Sequence, residues 1–467
     1  MRWLINRQPT LRGGVLLALS ITLGSWTVTR AQSIVDRSVA RNNESKPSII
    51  TGDSTTALSP YFDHLQGSSS NDLVRRALAS NGELKAARIE IEKAKARVRQ
   101  AGLTPNPTFE FEQTTGRFTG SSGERDTSIG VTFPLEVGGQ RRRRVKLAQA
   151  ELEAVEAEVA DRERRLAAEV RSNYAEALAA LRELDTLENL NRLDLQTTRF
   201  VQARVNEGES APLELSLLRV EVDRLRSRQV LAEGRLKVAL LRLQTLTGVP
   251  PEEPLRLRED LAAVSLPAPP ASIDAAIEIA LRTRPDLRLA RLNEEVAQAG
   301  LRLARSLSTP DVTAFTRFTV SRSSFEETPI GTLRDRDKLF TVGLSVGIPV
   351  FNRNQGAKAD ASLAILQART RREFVEGVVR VEVRSAYARY EAARAAVAIF
   401  DQGVIDRSNE NINVIRAVYQ LGEFRINDLI SEQRRLLDSQ REFTETLAEQ
   451  YRALADLHAA LGLAAVK

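Results

Sequence analysis

Cysteine is absent from all 467 residues, methionine occurs once and histidine twice. Disulfides and thiol nucleophiles are thereby excluded, and soft metal ligands are nearly gone. The two histidines, His64 and His458, stand far apart in sequence and do not suggest a zinc site. A cysteine that could carry a lipid after export is also missing, so membrane anchoring must come from the fold. No Ser/His/Asp arrangement, phosphate-binding loop or ligand cluster is legible. Hence no catalytic residues, metal site or cofactor are expected, and the chain does not read as an enzyme.

Excess positive charge is scarce as well. The 67 Lys and Arg exceed the 61 Asp and Glu, but Arg2, Arg7, Arg12 and Arg30 belong to a leader. An apolar stretch from Val15 to Leu23, then small residues around Thr29 and Ala31, predicts a signal peptide over residues 1–31. At about ten residues the stretch is too short for a spanning helix, which needs about 20. Without the four leader arginines the balance is 63 to 61, which gives no support for a nucleic-acid partner. Both tryptophans, Trp3 and Trp26, lie in the same leader.

Residues 32–71 are rich in Ser, Asn and Asp without an apolar period and read as a flexible arm. Beyond them the chain repeats itself. Ala77-Leu78 and Asn81-Gly82-Glu83-Leu84 return as Ala280-Leu281 and Arg284-Pro285-Asp286-Leu287, an offset of 203. Phe133-Pro134-Leu135 returns as Ile348-Pro349-Val350 at 215, while Gly208-Glu209 and Gly248-Val249 return at 214. Residues 72–249 and 272–467 therefore share one plan, joined by a Pro-rich equatorial linker at 250–271, with about twelve residues inserted in the second copy.

Each copy reads helix, strand, strand, long helix, turn, helix. Residues 72–103 form one helix stopped by Gly102 and Pro105, and 272–306 form its counterpart. Residues 139–207 and 352–422 run without proline, and at 1.5 Å per residue each such helix reaches about 100 Å. Pairs of shorter helices stacked end to end have matching lengths, which predicts a tall helical wall. The strands alternate differently: Phe340, Val342, Leu344, Val346, Ile348 and Val350 are separated by small or polar residues. Ile129, Val131, Phe133 and Leu135 behave alike, as do Val312, Ala314, Phe318 and Val320, with a shorter version at Phe109 and Phe111. One apolar and one polar face is what lipid outside and water inside require. Four strands cannot close a barrel, since the smallest membrane barrels have about eight. A naked sheet edge in lipid is too costly. A homotrimer would supply twelve strands and a shared pore.

The leader, the duplicated plan and the strand exits Phe133-Pro134-Leu135-Glu136-Val137-Gly138-Gly139-Gln140-Arg141 and Ile348-Pro349-Val350-Phe351-Asn352-Arg353-Asn354-Gln355-Gly356 resemble TolC-type outer-membrane efflux channels. The second exit resembles the branch that serves heavy-metal resistance-nodulation-division pumps. The resemblance implies a mainly α protein with membrane β: a trimer whose 12-stranded outer-membrane β-barrel continues as a long α-helical barrel in the periplasm. It also implies a periplasmic adaptor and an inner-membrane pump as partners, and metal cations as cargo. A periplasmic coiled-coil adaptor or scaffold is the other class that long Ala/Leu-rich helices allow, but it would not need alternating strands in two equivalent places.

Pro134 and Pro349 are expected to stop strand pairing where the chain leaves the barrel. Arg141 to Arg144 form the densest basic run, either a solvated ring or a selectivity element. Gly208 and Gly422 fit helix C-caps that need φ > 0. By resemblance, the tips around Gly208, Glu209, Leu215, Gly422, Glu423 and Leu429 dock the adaptor's helical hairpin. Tyr419 matches the tyrosine of the family's closing network, Glu214 its acidic partner, and Asp428 an acid ringing the entrance. Phe424 stands where the prototype has an arginine, with Arg425 next, and Ser431 stands where a second entrance acid is expected.

Overall fold

The computed structural model describes residues 60–118, 124–264, 266–325 and 333–463. The leader at 1–31 and the arm up to residue 59 lie outside the described residues. Nine α-helices and four strands follow among those described: α1 Ser70–Ser80, α2 Gly82–Ala101, β1 Thr108–Thr115, β2 Arg125–Leu135, α3 Gln140–Asn206, α4 Pro212–Thr247, α5 Ile273–Thr283, α6 Pro285–Ser306, β3 Asp311–Phe325, β4 Leu333–Gly347, α7 Gln355–Asp401, α8 Val404–Gln420 and α9 Ile426–Ala460. The second strand pair is the longer, 15 and 15 residues against 8 and 11, which locates the inserted residues of the second copy.

Three expected helices are each two. Asn81 leaves helical geometry at φ −56, ψ 128 and accepts the Leu84 amide with its side chain at 2.9 Å, so 72–103 divides into α1 and α2. Its counterpart divides at Arg284, because Pro285 disfavours helical geometry in the residue before it. The long second-copy helix breaks at Gly403, whose φ of 109 is closed to a helix and costly for residues with a Cβ. Helix α3, with no such residue, runs 67 residues unbroken, about 100 Å at 1.5 Å per residue.

The helices form the expected wall. Toward the sheet α3 packs on α2 and α6, and α6 on α7; toward the far end α3 packs on α4 and α9, and α9 on α7 and α8. One apolar core runs through α1, α3, α4 and α9, with fully buried Val170, Leu218, Leu236 and Leu429 among its members. At mid-height the chain crosses over itself. Residues 61–68 pair with 256–258, with Asp63 N–H donating to Leu257 O at 2.9 Å and Leu257 N–H to Tyr61 O at 2.9 Å. The Ser70 and Tyr451 hydroxyls share a buried hydrogen bond of 2.6 Å. Arg284, 2% exposed, meets Asp286 at 2.6 Å and Glu382 at 2.7 Å.

The sheet is antiparallel in the order β1-β2-β3-β4. Within the chain β1 and β4 are therefore edges.

Candidate functional site

Strand register sorts the sheet's side chains by face. Phe111, Ile129, Phe318 and Phe340 stand abreast, and next to them Phe109, Val131, Thr316 and Val342. Two further rows, Phe133-Ala314-Leu344 and Leu135-Val312-Val346, continue the same face toward the helices. Val342 and Leu344 are 67% and 69% exposed. A contiguous apolar surface of this kind calls for an apolar phase or partner to cover it. Among the described residues no helix is long and apolar enough to cross a membrane.

The opposite face carries Glu110, Glu112, Asp126, Asp311, Asp335 and Asp337 against a single described base, Arg317. Arg317 lies 3.2 Å from Glu110 and 3.9 Å from Glu112. Register places Gly130 between Glu110 and Arg317, so no side chain obstructs that pair. Five carboxylates beyond the closest pair give the polar face a net negative field.

The strand exits differ from expectation. Pro134 lies inside β2 opposite Thr313, and pairing with β3 continues to Leu135. Only the β1 side has ended, at Thr132, which is where a residue without an amide proton is tolerated. Pairing of β4 stops at Gly347, two residues ahead of Pro349. Neither proline terminates its strand. The basic run is occupied locally: Arg141 Nε donates to Gly102 O at 2.6 Å and Arg144 Nη2 to Leu103 O at 3.1 Å. Arg143 Nη1 donates to Arg302 O at 2.9 Å, and Arg144 also pairs with Glu136. These carbonyls close the C-terminal ends of α2 and α6, where the helix dipole favours cations. The arginines thus oppose the dipole of their own helix and satisfy those of its neighbours.

At the far end both turns are closed by the same motif. Glu209 N–H reaches Arg204 O at 2.8 Å and Gly208 N–H reaches Val205 O at 3.1 Å; Glu423 N–H reaches Val418 O at 3.2 Å and Gly422 N–H reaches Tyr419 O at 3.0 Å. Gly208 and Gly422 hold φ of 79 and 85, the left-handed position that the motif requires. The Tyr419 hydroxyl donates to Glu214 Oε2 at 3.3 Å, tying the end of α8 to the first turn of α4. Burial, then the Glu214 charge, pushes the Tyr419 hydroxyl up to about 12. Asp428 accepts the Arg425 backbone N–H at 3.1 Å and so caps its own helix. Ser431 turns its hydroxyl onto Asn427 O at 2.7 Å.

Two tip residues lie elsewhere than expected. Leu429 is 0% exposed and Leu215 is buried with it in the apolar core, because they fall on the faces that α4 turns to α3 and that α9 turns to α3 and α8. They offer no surface to a partner. The exposed apolar side chains of the tips are Leu213, Leu421 and Phe424; of these only Phe424 stands out in the sequence, because Leu213 and Leu421 belong to no apolar period.

Higher on the same helices is a polar layer without a sequence signature. Gln433 of α9 donates to Asp194 of α3, and Arg434 meets the buried Glu221 of α4 at 2.8 Å. Burial, opposed by the Gln433 hydrogen bond and added to by Glu221, pushes the Asp194 carboxyl up to about 6.

Comparison with known proteins gives a consistent picture. The sequence profile described as outer membrane efflux protein matches residues 73–249 and 276–463. The cobalt-zinc-cadmium resistance protein CzcC of Cupriavidus metallidurans is 23% identical over 393 residues, covering 83% of this chain and 88% of its own. The nickel-cobalt-cadmium resistance protein NccC of Alcaligenes xylosoxydans is 25% identical over 330 residues, 68% of this chain and 70% of its own. Among solved structures, the CusC channel superposes with a TM-score of 0.68 at 21% identity, over 84% of this chain and 92% of that one. The open-state MtrE outer membrane channel of Neisseria gonorrhoeae gives 0.67 at 18% identity, over 84% and 89%.

Proposed function

Since the chain belongs to the outer membrane efflux protein family, we propose that it is the exit duct of a three-part pump, a homotrimer conducting metal cations out of the cell. The cations are delivered by an inner-membrane pump of the resistance-nodulation-division type through a periplasmic adaptor. The sheet sits in the outer membrane and the helices in the periplasm. The duct is passive: it breaks no bond, and the pump supplies the energy.

The observation that carries this reading is a four-stranded sheet with two unpaired edges, apolar on one face and acidic on the other. Lipid does not tolerate an open edge, and three copies supply twelve strands, above the minimum of about eight. Helices α2 and α7 end the upper wall and expose Ile89, Leu363, Leu366, Phe374 and Val381, which supply surfaces for adjacent copies. The acidic face then lines the pore and favours cations over anions. Relatives named for cobalt, zinc, cadmium and nickel resistance support the choice of cargo. A pore without Cys holds such ions weakly, as passage requires.

At the entrance, Gly208, Glu209, Gly422 and Glu423, with Leu213, Leu421 and Phe424, form the docking tips, and Tyr419, Glu214, Arg425 and Asp428 form the gate. The leader 1–31, the arm 32–71, the linker 250–271 and the copies 72–249 and 272–467 are the corresponding domains, except that the arm's end is not free: 61–68 pairs with 256–258 of the linker and Ser70 opens α1. Two measurements test the reading. Purified protein should run as a heat-resistant trimer with cation-selective conductance in lipid bilayers. Deleting the gene should lower tolerance to zinc, cobalt or cadmium; unchanged tolerance with intact conductance removes the metal cargo and leaves the channel.

A further inference from the structure

Charge on the sheet is sorted as strictly as hydrophobicity. Moving away from the helices along the apolar face, the row Phe111-Ile129-Phe318-Phe340 is followed by Gln113-Thr127-Val320-Lys338, and then by Thr115-Arg125-Arg322-Arg336. Three arginines stand abreast on three consecutive strands with a lysine one row below, all four exposed. Every acid of the four strands alternates onto the opposite face, where Glu110 and Glu112 serve Arg317. Like charges directly opposite one another destabilise a sheet. With strands about 4.8 Å apart the three arginines span about 10 Å. Among the described residues no acid of the chain pairs with these three arginines, and the row therefore suits an anion from outside the chain.

Position says which anion. From Val312 to Phe318 the predominantly apolar rows extend about 20 Å along the strands at about 3.3 Å per residue, within the apolar band of about 25 Å that a membrane barrel presents. The mixed row of Gln113, Thr127, Val320 and Lys338 follows, and the arginines stand one row beyond it, where hydrocarbon gives way to head groups. They lie at the end remote from the periplasmic helices, which is the outer surface of the outer membrane. Guanidinium forks match phosphate oxygens pairwise, and Lys338 can extend its stem up the apolar face to the same level. We propose that Arg125, Arg322 and Arg336, with Lys338, bind the phosphates of the anionic glycolipid of the outer leaflet, lipopolysaccharide, one such row on each subunit. This rests on the barrel reading of the sheet.

The test uses full-length trimer purified free of glycolipid, the Arg125→Ser/Arg322→Ser/Arg336→Ser variant and, as a control on the opposite face, Arg317→Ser. Lipopolysaccharide should raise the melting temperature of wild type and Arg317→Ser trimers, and dephosphorylated lipopolysaccharide should not. The triple variant should bind lipopolysaccharide about tenfold or more weakly, since several charge-assisted contacts are removed. Equal binding by the triple variant, or by the dephosphorylated form, overturns the proposal. An equal rise with phosphatidylglycerol or inorganic phosphate overturns the glycolipid assignment. If the triple variant does not fold, Arg322→Ser alone, on a central strand, must show a reduced melting shift. Conductance of wild type in glycolipid-free bilayers separates the two readings: a conducting trimer indifferent to lipopolysaccharide overturns this inference alone, whereas a wild type that neither trimerises nor conducts overturns the channel as well.

Discussion

Gln433 donates its side-chain amide to Asp194 across the contact of α9 with α3, and the pairing leaves two buried acceptors, Asp194 Oδ2 and Gln433 Oε1, without a donor. A proton on Asp194 supplies the missing donor. Burial has already moved the carboxyl toward accepting it, from 3.8 to about 6. The folded chain therefore holds this proton more tightly than the unfolded chain. The contribution of this one group to stability is greatest below about pH 3.8, falls as pH rises toward about 6, and above that is a penalty on the order of 3 kcal/mol per chain. Over this window Asp194→Asn, which brings a permanent donor and no charge, should raise the melting temperature at pH 7 and flatten the difference between pH 5 and pH 7. Thermal unfolding of both proteins at the two pH values checks this; a parallel pH dependence in the variant counts against it.

Tyr419 and Glu214 make the corresponding link nearer the tip, at 3.3 Å. Tyr419→Phe keeps the ring in the core and deletes only the donor, at a cost of about 1 kcal/mol. If closure of the entrance depends on that bond, the open fraction should rise about fivefold, since about 1.4 kcal/mol is tenfold. Single-channel recording of the reconstituted trimer measures it. Glu214→Gln, which can still accept, should stay close to wild type. A Tyr419→Phe channel with unchanged open probability would place the gate elsewhere.

Arg284 is the buried pivot between the two short helices of the second copy, held between Asp286 and Glu382. Arg284→Leu strands the half-buried Asp286 without its counter-charge and should destabilise the fold by about 3 kcal/mol. Adding Asp286→Asn should recover part of that loss. Chemical denaturation of the single and double variants gives the coupling directly.

Periodicity carried most of the architecture. The 2-residue alternation at Phe340 to Val346 and at Ile129 to Leu135 marked the strands, and the proline-free run from 139 to 207 marked α3, because both signals repeat over many residues. What escaped notice hung on single residues. Asn81, Arg284 and Gly403 break helices through one backbone conformation each, inside segments whose composition stays helical. Leu215 and Leu429 looked like surface because they follow exposed turns, and only the packing of α4 on α3 and of α9 on α3 and α8 turns them inward. The abutting of Arg141, Arg143 and Arg144 on foreign helix ends, and the meeting of Asp194 with Gln433, 239 positions apart, are tertiary facts that no local pattern encodes.

On the polar face of the sheet the ring of Phe315 in β3 lies directly over Gly343 of β4, its register partner. A Cβ built on Gly343 would stand 2.5 Å from Phe315 Cζ and 2.8 Å from Cε1, closer than any carbon pair tolerates. Gly343→Ala therefore forces the ring off its rotamer or the strands apart, a cost of about 1–3 kcal/mol for overpacking. Removing the ring instead, with Phe315→Ala, should cost less, since the polar face is open to water. The decisive protein is the double variant, in which the added methyl enters the space the ring vacated. Heat resistance of the trimer should fall in Gly343→Ala and return toward the Phe315→Ala value in the double variant, a coupling of about 1 kcal/mol or more. Strictly additive losses would mean that the glycine serves backbone freedom in β4 rather than the aromatic ring across from it.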